Sequence, residues 1–95
     1  MKTEHSQRVN NFYKALLSLK TCEECDKFFE DICTVKELAD ISQRFEVAMM
    51  LDQGKVYTEI AAKTGASTAT ISRVNRSYCY GSGGYKLAID RNKTE

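Results

Sequence analysis

Proline is absent from this chain of 95 residues, and glycine occurs only five times, three of them at Gly81, Gly83 and Gly84. With so few breakers in the interior, helix is the default backbone state. Long apolar runs are missing too. The longest is Val47-Ala48-Met49-Met50-Leu51, far short of the roughly 20 residues a membrane-spanning helix needs, so no membrane partner is expected. The opening Met1-Lys2-Thr3-Glu4-His5 leads into more polar sequence, so no secretory leader is expected and the compartment is read as the cytoplasm. The single histidine, His5, lies close to the chain end, where it offers no credible Ser-His-Asp triad. Gly81-Ser82-Gly83-Gly84 lacks the following Lys-Ser/Thr and the preceding strand of a phosphate-binding loop. These absences argue against an enzyme, and no cofactor is expected.

What is present is an ordinary globular balance of 42% hydrophobic and 28% charged residues, which excludes a disordered chain. The length fits one domain, residues 1–95, with a core so modest that a second copy would add useful burial. Net charge is +1, but it is unevenly spread. Residues 1–53 hold seven Lys/Arg against ten Asp/Glu, and residues 54–95 hold seven against three. An acidic half joined to a basic half suggests that the second half faces an anion, nucleic acid among them.

The apolar spacing predicts six helices and no strand. Val9, Phe12, Tyr13, Leu16, Leu17 and Leu19 make one face of a helix over about residues 5–20. Thr21 with Glu24 forms a capping box opening a helix that carries Cys25, Phe28, Phe29 and Ile32. Thr34 with Glu37 forms another, opening a helix over about 35–53. That helix is apolar at Val35, Leu38, Ile41, Phe45, Ala48, Met49 and Leu51, and Val47 and Met50 widen the stripe. A helix apolar on several sides is buried on several sides, which in so small a chain calls for a twin. Residues 5–54 are therefore read as dimerisation helices, ended by Gly54. Short helices follow over about 57–64 and 68–77, separated by Gly65 and the N-cap Ser67. Residues 78–84 are expected to be a loop. Tyr85, Leu87, Ala88 and Ile89 give a last helix within 79–91, and 92–95 a frayed tail.

Residues 55–78 carry the functional pattern, a helix-turn-helix. Two short helices crossing steeply need a small residue at the contact, which Ala61 supplies. The turn needs positive φ, which Gly65 tolerates. Ile60, Ala61, Ile71 and Val74 are the expected inner faces. The outer face of the second helix offers Thr68, Ala69, Ser72 and Arg73, with Ser67 and Thr70 near its N-terminus. Small polar side chains let a helix enter a major groove closely, and its N-terminus favours phosphate. Arg73 and Arg76 can reach phosphates or guanine edges. Lys55, Tyr57, Thr58 and Lys63 are expected flanking contacts to double-stranded DNA.

From Thr34 to Arg91 the chain resembles the Trp-repressor family, and most closely its YerC/YecD-type branch. The residues that carry the likeness are Thr34-Val35-Lys36-Glu37, Ser42-Gln43-Arg44-Phe45, Leu51-Asp52-Gln53-Gly54, Gly65-Ala66 and Ala69-Thr70-Ile71-Ser72-Arg73. The resemblance implies an all-α, six-helix fold, an intertwined homodimer, and repression of transcription at a palindromic operator. It also implies a small-molecule effector pocket at Thr34, Arg44, Thr70, Arg73, Val74 and Ser77. Val74 stands where the classical repressor has a glycine against its tryptophan, so the expectation is an effector other than tryptophan, or none. An added β-branched side chain in a tight slot costs about 1–3 kcal/mol.

Two other readings stand beside this one: a helical protein–protein module, and a thiol- or zinc-responsive sensor. The second would use Cys22, Cys25, Cys33 and Cys79. Only Cys22 and Cys25 are paired in spacing, and zinc asks for about four ligands. Reduced, partly buried thiols without a metal are the expectation. The acidic cluster Glu23, Glu24, Asp26, Glu30 and Asp31 is read as a solvated helix face. Tyr57, Tyr78, Tyr80 and Tyr85 are expected to pack against the last helix.

Overall fold

A computed structural model describes residues 6–93, which contain six helices and no strand. His5 and the last two residues of the expected tail, Thr94 and Glu95, lie outside the described residues. The helices are α1 (Gln7–Leu17), α2 (Cys22–Ile32), α3 (Val35–Asp52), α4 (Tyr57–Thr64), α5 (Thr68–Tyr80) and α6 (Gly84–Arg91). None is long and apolar enough to cross a membrane. The chain divides into two compact units, residues 1–36 and 37–95, and α3 begins in the first and continues through the second.

In the first unit, α1 starts at Ser6, whose hydroxyl accepts from the Val9 amide at 3.2 Å. It ends at Leu17 rather than near Lys20. The cause is Ser18, whose hydroxyl donates to the Ala15 carbonyl at 2.6 Å. The Ser18 and Leu19 amides reach back only three residues, at 3.1 Å each, so the last turn tightens and the helix stops. The Thr21 capping box forms: the Glu24 amide donates to Thr21 Oγ1 at 3.0 Å. Glu24 Oε1 in return accepts the Lys20 amide at 2.8 Å, one residue earlier than the usual reciprocal bond. Phe12 of α1 stacks on Phe28 of α2 at 6.0 Å between centroids, and Phe29 meets Phe28 edge-on at 5.5 Å. Neither helix contains a buried residue.

The second unit holds the core. Val47, Ala48 and Met50 of α3, Ile60 of α4, Ala66 of the following turn, Ile71 and Val74 of α5 and Ile89 of α6 are all buried. Phe45, Leu51, Tyr57, Ala61, Tyr78 and Tyr85 pack around them. Each fully buried Val or Ile contributes about 1.5–3 kcal/mol of transfer free energy. α3 ends in a Schellman motif: the Lys55 amide donates to the Met50 carbonyl at 3.1 Å and the Gly54 amide to Leu51 at 3.0 Å. Gly54 there takes φ of 81°.

α5 continues to Tyr80, so the expected loop over 78–84 is corrected to a short elbow at 81–83. Tyr78 is held from outside its own helix: its hydroxyl donates to Asp52 Oδ1 at 2.5 Å. Lys93 Nζ stands 2.7 Å from Asp52 Oδ2, and Lys86 Nζ lies 5.0 Å over the Tyr78 ring. These partners make three more residues helical than local sequence indicates. The helix then stops at Gly81, where an added Cβ would collide with the Ser77 carbonyl oxygen.

Bonds from Lys93 and Tyr78 hold the Asp52 carboxyl below its ordinary value of 3.8. The bond to Asp52 raises the Tyr78 hydroxyl and the Lys93 ammonium. A depressed folded-state carboxyl stabilises above its unfolded value and loses that effect as pH falls through the folded one. Raised donors act in the opposite sense, stabilising until pH climbs past about 10. The denaturant midpoint should therefore be flat near neutrality and fall below about pH 4. Asp52→Asn should flatten the part of that acid slope that Asp52 carries, read by urea titrations across pH. Gly81→Ala should cost about 1–3 kcal/mol through its backbone collision. At Gly84 nothing lies within 4 Å of an added Cβ. Gly84→Ala should therefore gain about 0.4–1 kcal/mol, both read from melting curves.

Candidate functional site

The α4-turn-α5 hook is built from short-range hydrogen bonds over an apolar inner face. Ile60, Ile71 and Val74 are buried and Ala61 is half-buried, as the small-residue contact requires. Gly65 takes φ of 75°, a left-handed value that a β-carbon disfavours, while its amide closes α4 on the Ala61 carbonyl at 2.9 Å. Thr64 Oγ1 donates to the Ile60 carbonyl at 2.8 Å and accepts the Ala66 amide at 3.1 Å. Ala66 then turns into the core. From α3, Gln43 Nε2 donates to the Thr64 carbonyl at 3.1 Å and ties the turn to its support. Sequence reading named Ala66 and Gln43 only within the family likeness and gave neither a role in the hook. An alanine beside a turn glycine and a glutamine 21 residues upstream carry no local signal of these roles.

The N-cap of α5 forms as expected. Ser67 Oγ accepts the Thr70 amide and donates to Thr70 Oγ1, both at 3.1 Å. This uses the Ser67 hydroxyl internally and leaves Thr70 half-buried. Thr68, Ala69, Ser72, Arg73 and Arg76 are exposed on the outer side of the helix. Among the described residues, Arg73, Arg76 and Lys63 form no ion pair. Lys55 does pair with Glu59, at 3.7 Å, with both side chains largely in water, an arrangement worth under about 1 kcal/mol and easily exchanged for a phosphate. Thr58 is exposed, whereas Tyr57 packs against the core. The face therefore combines two unpaired guanidinium groups with short hydroxyl and methyl side chains, a composition suited to close approach to a polyanion.

The residues matched to an effector pocket are dispersed in character. Thr34 belongs to the first unit and the others to the second. Arg44 and Arg73 are exposed, Thr70 is half-buried, and Val74, at 2% exposure, is a core residue. Ser77 borders an open cleft of about 380 Å³ walled by Phe45, Tyr85 and Ala88 and floored by the Gly81 elbow. Phe45 and Tyr85 stack there at 6.5 Å. Among the tyrosines, Tyr80 departs from expectation: it is 86% exposed because it sits on the last turn of α5, past the core.

All four cysteines are free thiols. Cys22, Cys25 and Cys79 are exposed, so the expected partial burial holds only for Cys33. The reason is position: Cys22 and Cys25 lie in the first turn of a helix that buries nothing, and Cys79 faces out beside Asn75. Among the described residues, no group of three or more His, Cys, Asp or Glu side chains is placed to hold a metal ion.

Comparisons with known proteins agree over nearly the whole chain. The chain is 48% identical over 87 residues to the uncharacterised protein YerC of Bacillus subtilis, covering 92% of this chain and 84% of that one. A crystal structure of a candidate Trp repressor from Staphylococcus aureus superposes with a TM-score of 0.91 at 44% identity, over 96% of this chain and 91% of that one. A TrpR-like protein from Eubacterium eligens gives 0.88 at 55% identity, over 90% and 89%. The sequence model described as Trp repressor protein matches residues 7–93. With six helices in the expected order and that match spanning the hook and its supports, the chain belongs to the Trp repressor family.

Proposed function

We propose that this protein is a sequence-specific DNA-binding regulator of transcription, a repressor, acting as a homodimer on palindromic double-stranded DNA. The observation that carries this reading is the outward face of α5, where Arg73 and Arg76 stand unpaired beside Thr68, Ala69 and Ser72 on a capped helix. Arg73 and Arg76 are assigned to guanine edges or phosphates, and Lys55, Thr58 and Lys63 to flanking phosphates. Tyr57 and Thr70, half-buried, are assigned to the rim of the same surface, with Ser67 holding the helix start.

Dimerisation is supported by apolar side chains that a single chain leaves in water. Val35 is 89% and Leu17 84% exposed, and Ile41 and Met49 are open on α3. Isolated exposed apolar residues are ordinary, but several on the broad stripe of one long helix mark a contact surface. A homodimer sets two α5 helices against successive major grooves, about 34 Å apart. Arg44, Thr70, Arg73 and Ser77 are the proposed surroundings of a small-molecule effector other than tryptophan, whereas Val74 is packed into the core and offers it no surface.

Selection of bound sequences from a random duplex pool should return a two-fold symmetric site. Affinity for it should fall steeply as salt rises. Arg73→Ala should weaken that binding about 5- to 150-fold, and Lys63→Ala should lower the salt slope by about one. An intact protein that shows no duplex preference at low salt would sink the proposal.

A further inference from the structure

The structure assigns a positioning role to the Asp52 carboxylate and the Tyr78 hydroxyl: together they fix the pose of the reading helix, without themselves meeting DNA. The inference rests on the DNA-binding reading above. Tyr78 stands on α5 five residues beyond Arg73, and Asp52 is the last residue of α3. The Tyr78 hydroxyl donates to one carboxylate oxygen at 2.5 Å, and Lys93 Nζ, just past α6, takes the other at 2.7 Å. One side chain thus joins the end of the supporting helix, the lower half of the reading helix and the end of the last helix. Asp52 is only 12% exposed, so water replaces these partners poorly and the bonds keep their directional strength. Lys86 of α6, 5.0 Å over the Tyr78 ring, holds the same tyrosine from a second side.

The apolar core alone does not set this pose finely. Burial is non-directional, so Ile71 and Val74 resist withdrawal of α5 more than its rotation or tilt. A hydrogen bond near the far end of α5 supplies the missing direction. Its lever is long: Thr68 lies ten residues from Tyr78, about 15 Å along the helix axis. A small tilt about the core contact therefore moves the groove-facing end by an amount that matters to base contacts. Phosphate contacts tolerate it, because flexible Lys and Arg side chains follow the backbone.

Tyr78→Phe, which deletes only the hydroxyl, and Asp52→Asn test this in the full-length protein. Both are compared with wild type on the selected duplex and on a scrambled one. Helical circular dichroism and sedimentation establish that each variant keeps its fold and assembly. If Tyr78→Phe lowers stability too far, Lys93→Ala, which frees one carboxylate oxygen, stands in for it. The expected result is a loss of about three- to tenfold on the selected duplex. Affinity for the scrambled duplex and the salt slope should be unchanged, and the double variant should be little worse than either single one. Equal losses on both duplexes, a changed salt slope, or fully additive losses would overturn the positioning role. Wild type without any duplex preference removes the DNA-binding reading and this inference together. A wild type that discriminates beside variants that discriminate equally well removes this inference alone.

Discussion

Burial of the inner faces of α4 and α5 in one core with the C-terminal third of α3 is the constraint from which the rest follows. Val47 and Ala48 are fully buried on α3, and Ile60, Ile71 and Val74 meet the same core. Ala48 and the half-buried Ala61 are small. In the hook of 24 residues, Tyr57 to Tyr80, α5 packs closely on α4, and beyond it on α6. A stiff hook makes its outer side a surface of fixed shape. Burial decides which side of the hook faces inward, and the Gly65 turn, the Ser67 cap, the Gln43 brace and the Asp52–Tyr78 bond give it direction.

Much of this was legible in the chain before any coordinates. The limits of α4 follow from Tyr57 and Gly65, and the start of α5 from Ser67, because caps and left-handed turns are local chemistry. The outer face of α5 followed from helical period alone, so Thr68, Ser72, Arg73 and Arg76 were identified as exposed without knowing what lay beneath. Errors arose where the deciding partner was distant. Tyr78 to Tyr80 sit beside a glycine-rich segment and read locally as loop, yet Asp52, 26 residues earlier in the chain, draws Tyr78 into the helix. Gln43 and Thr64 meet across 21 residues with nothing in either neighbourhood to announce it. The end of α1 was overrun because apolar spacing continues to Leu19, while a single serine closes the helix earlier.

Charge is arranged with the same economy. Asp52 is committed to Tyr78 and Lys93, and Glu59 is shared loosely with Lys55. No other acid within 54–93 remains beyond Asp90, itself 3.6 Å from Lys93. Among the described residues, the exposed guanidinium groups of α5 thus form no ion pair with a carboxylate. That is the electrostatic signature of a surface that meets an anion, and it arises from where carboxylates are absent as much as from where arginines stand.

The first unit carries a different lesson. α1 and α2 are eleven residues each and bury no side chain, holding together through two caps and a small stack of phenylalanine rings. Helices that short are marginal in water by themselves. In the homodimer proposed here, their order becomes a matter of mass action: subunit encounter, not chain folding alone, secures them. Dilution of such a dimer would therefore loosen α1 and α2 before it loosened the core around Ile60 and Ile71.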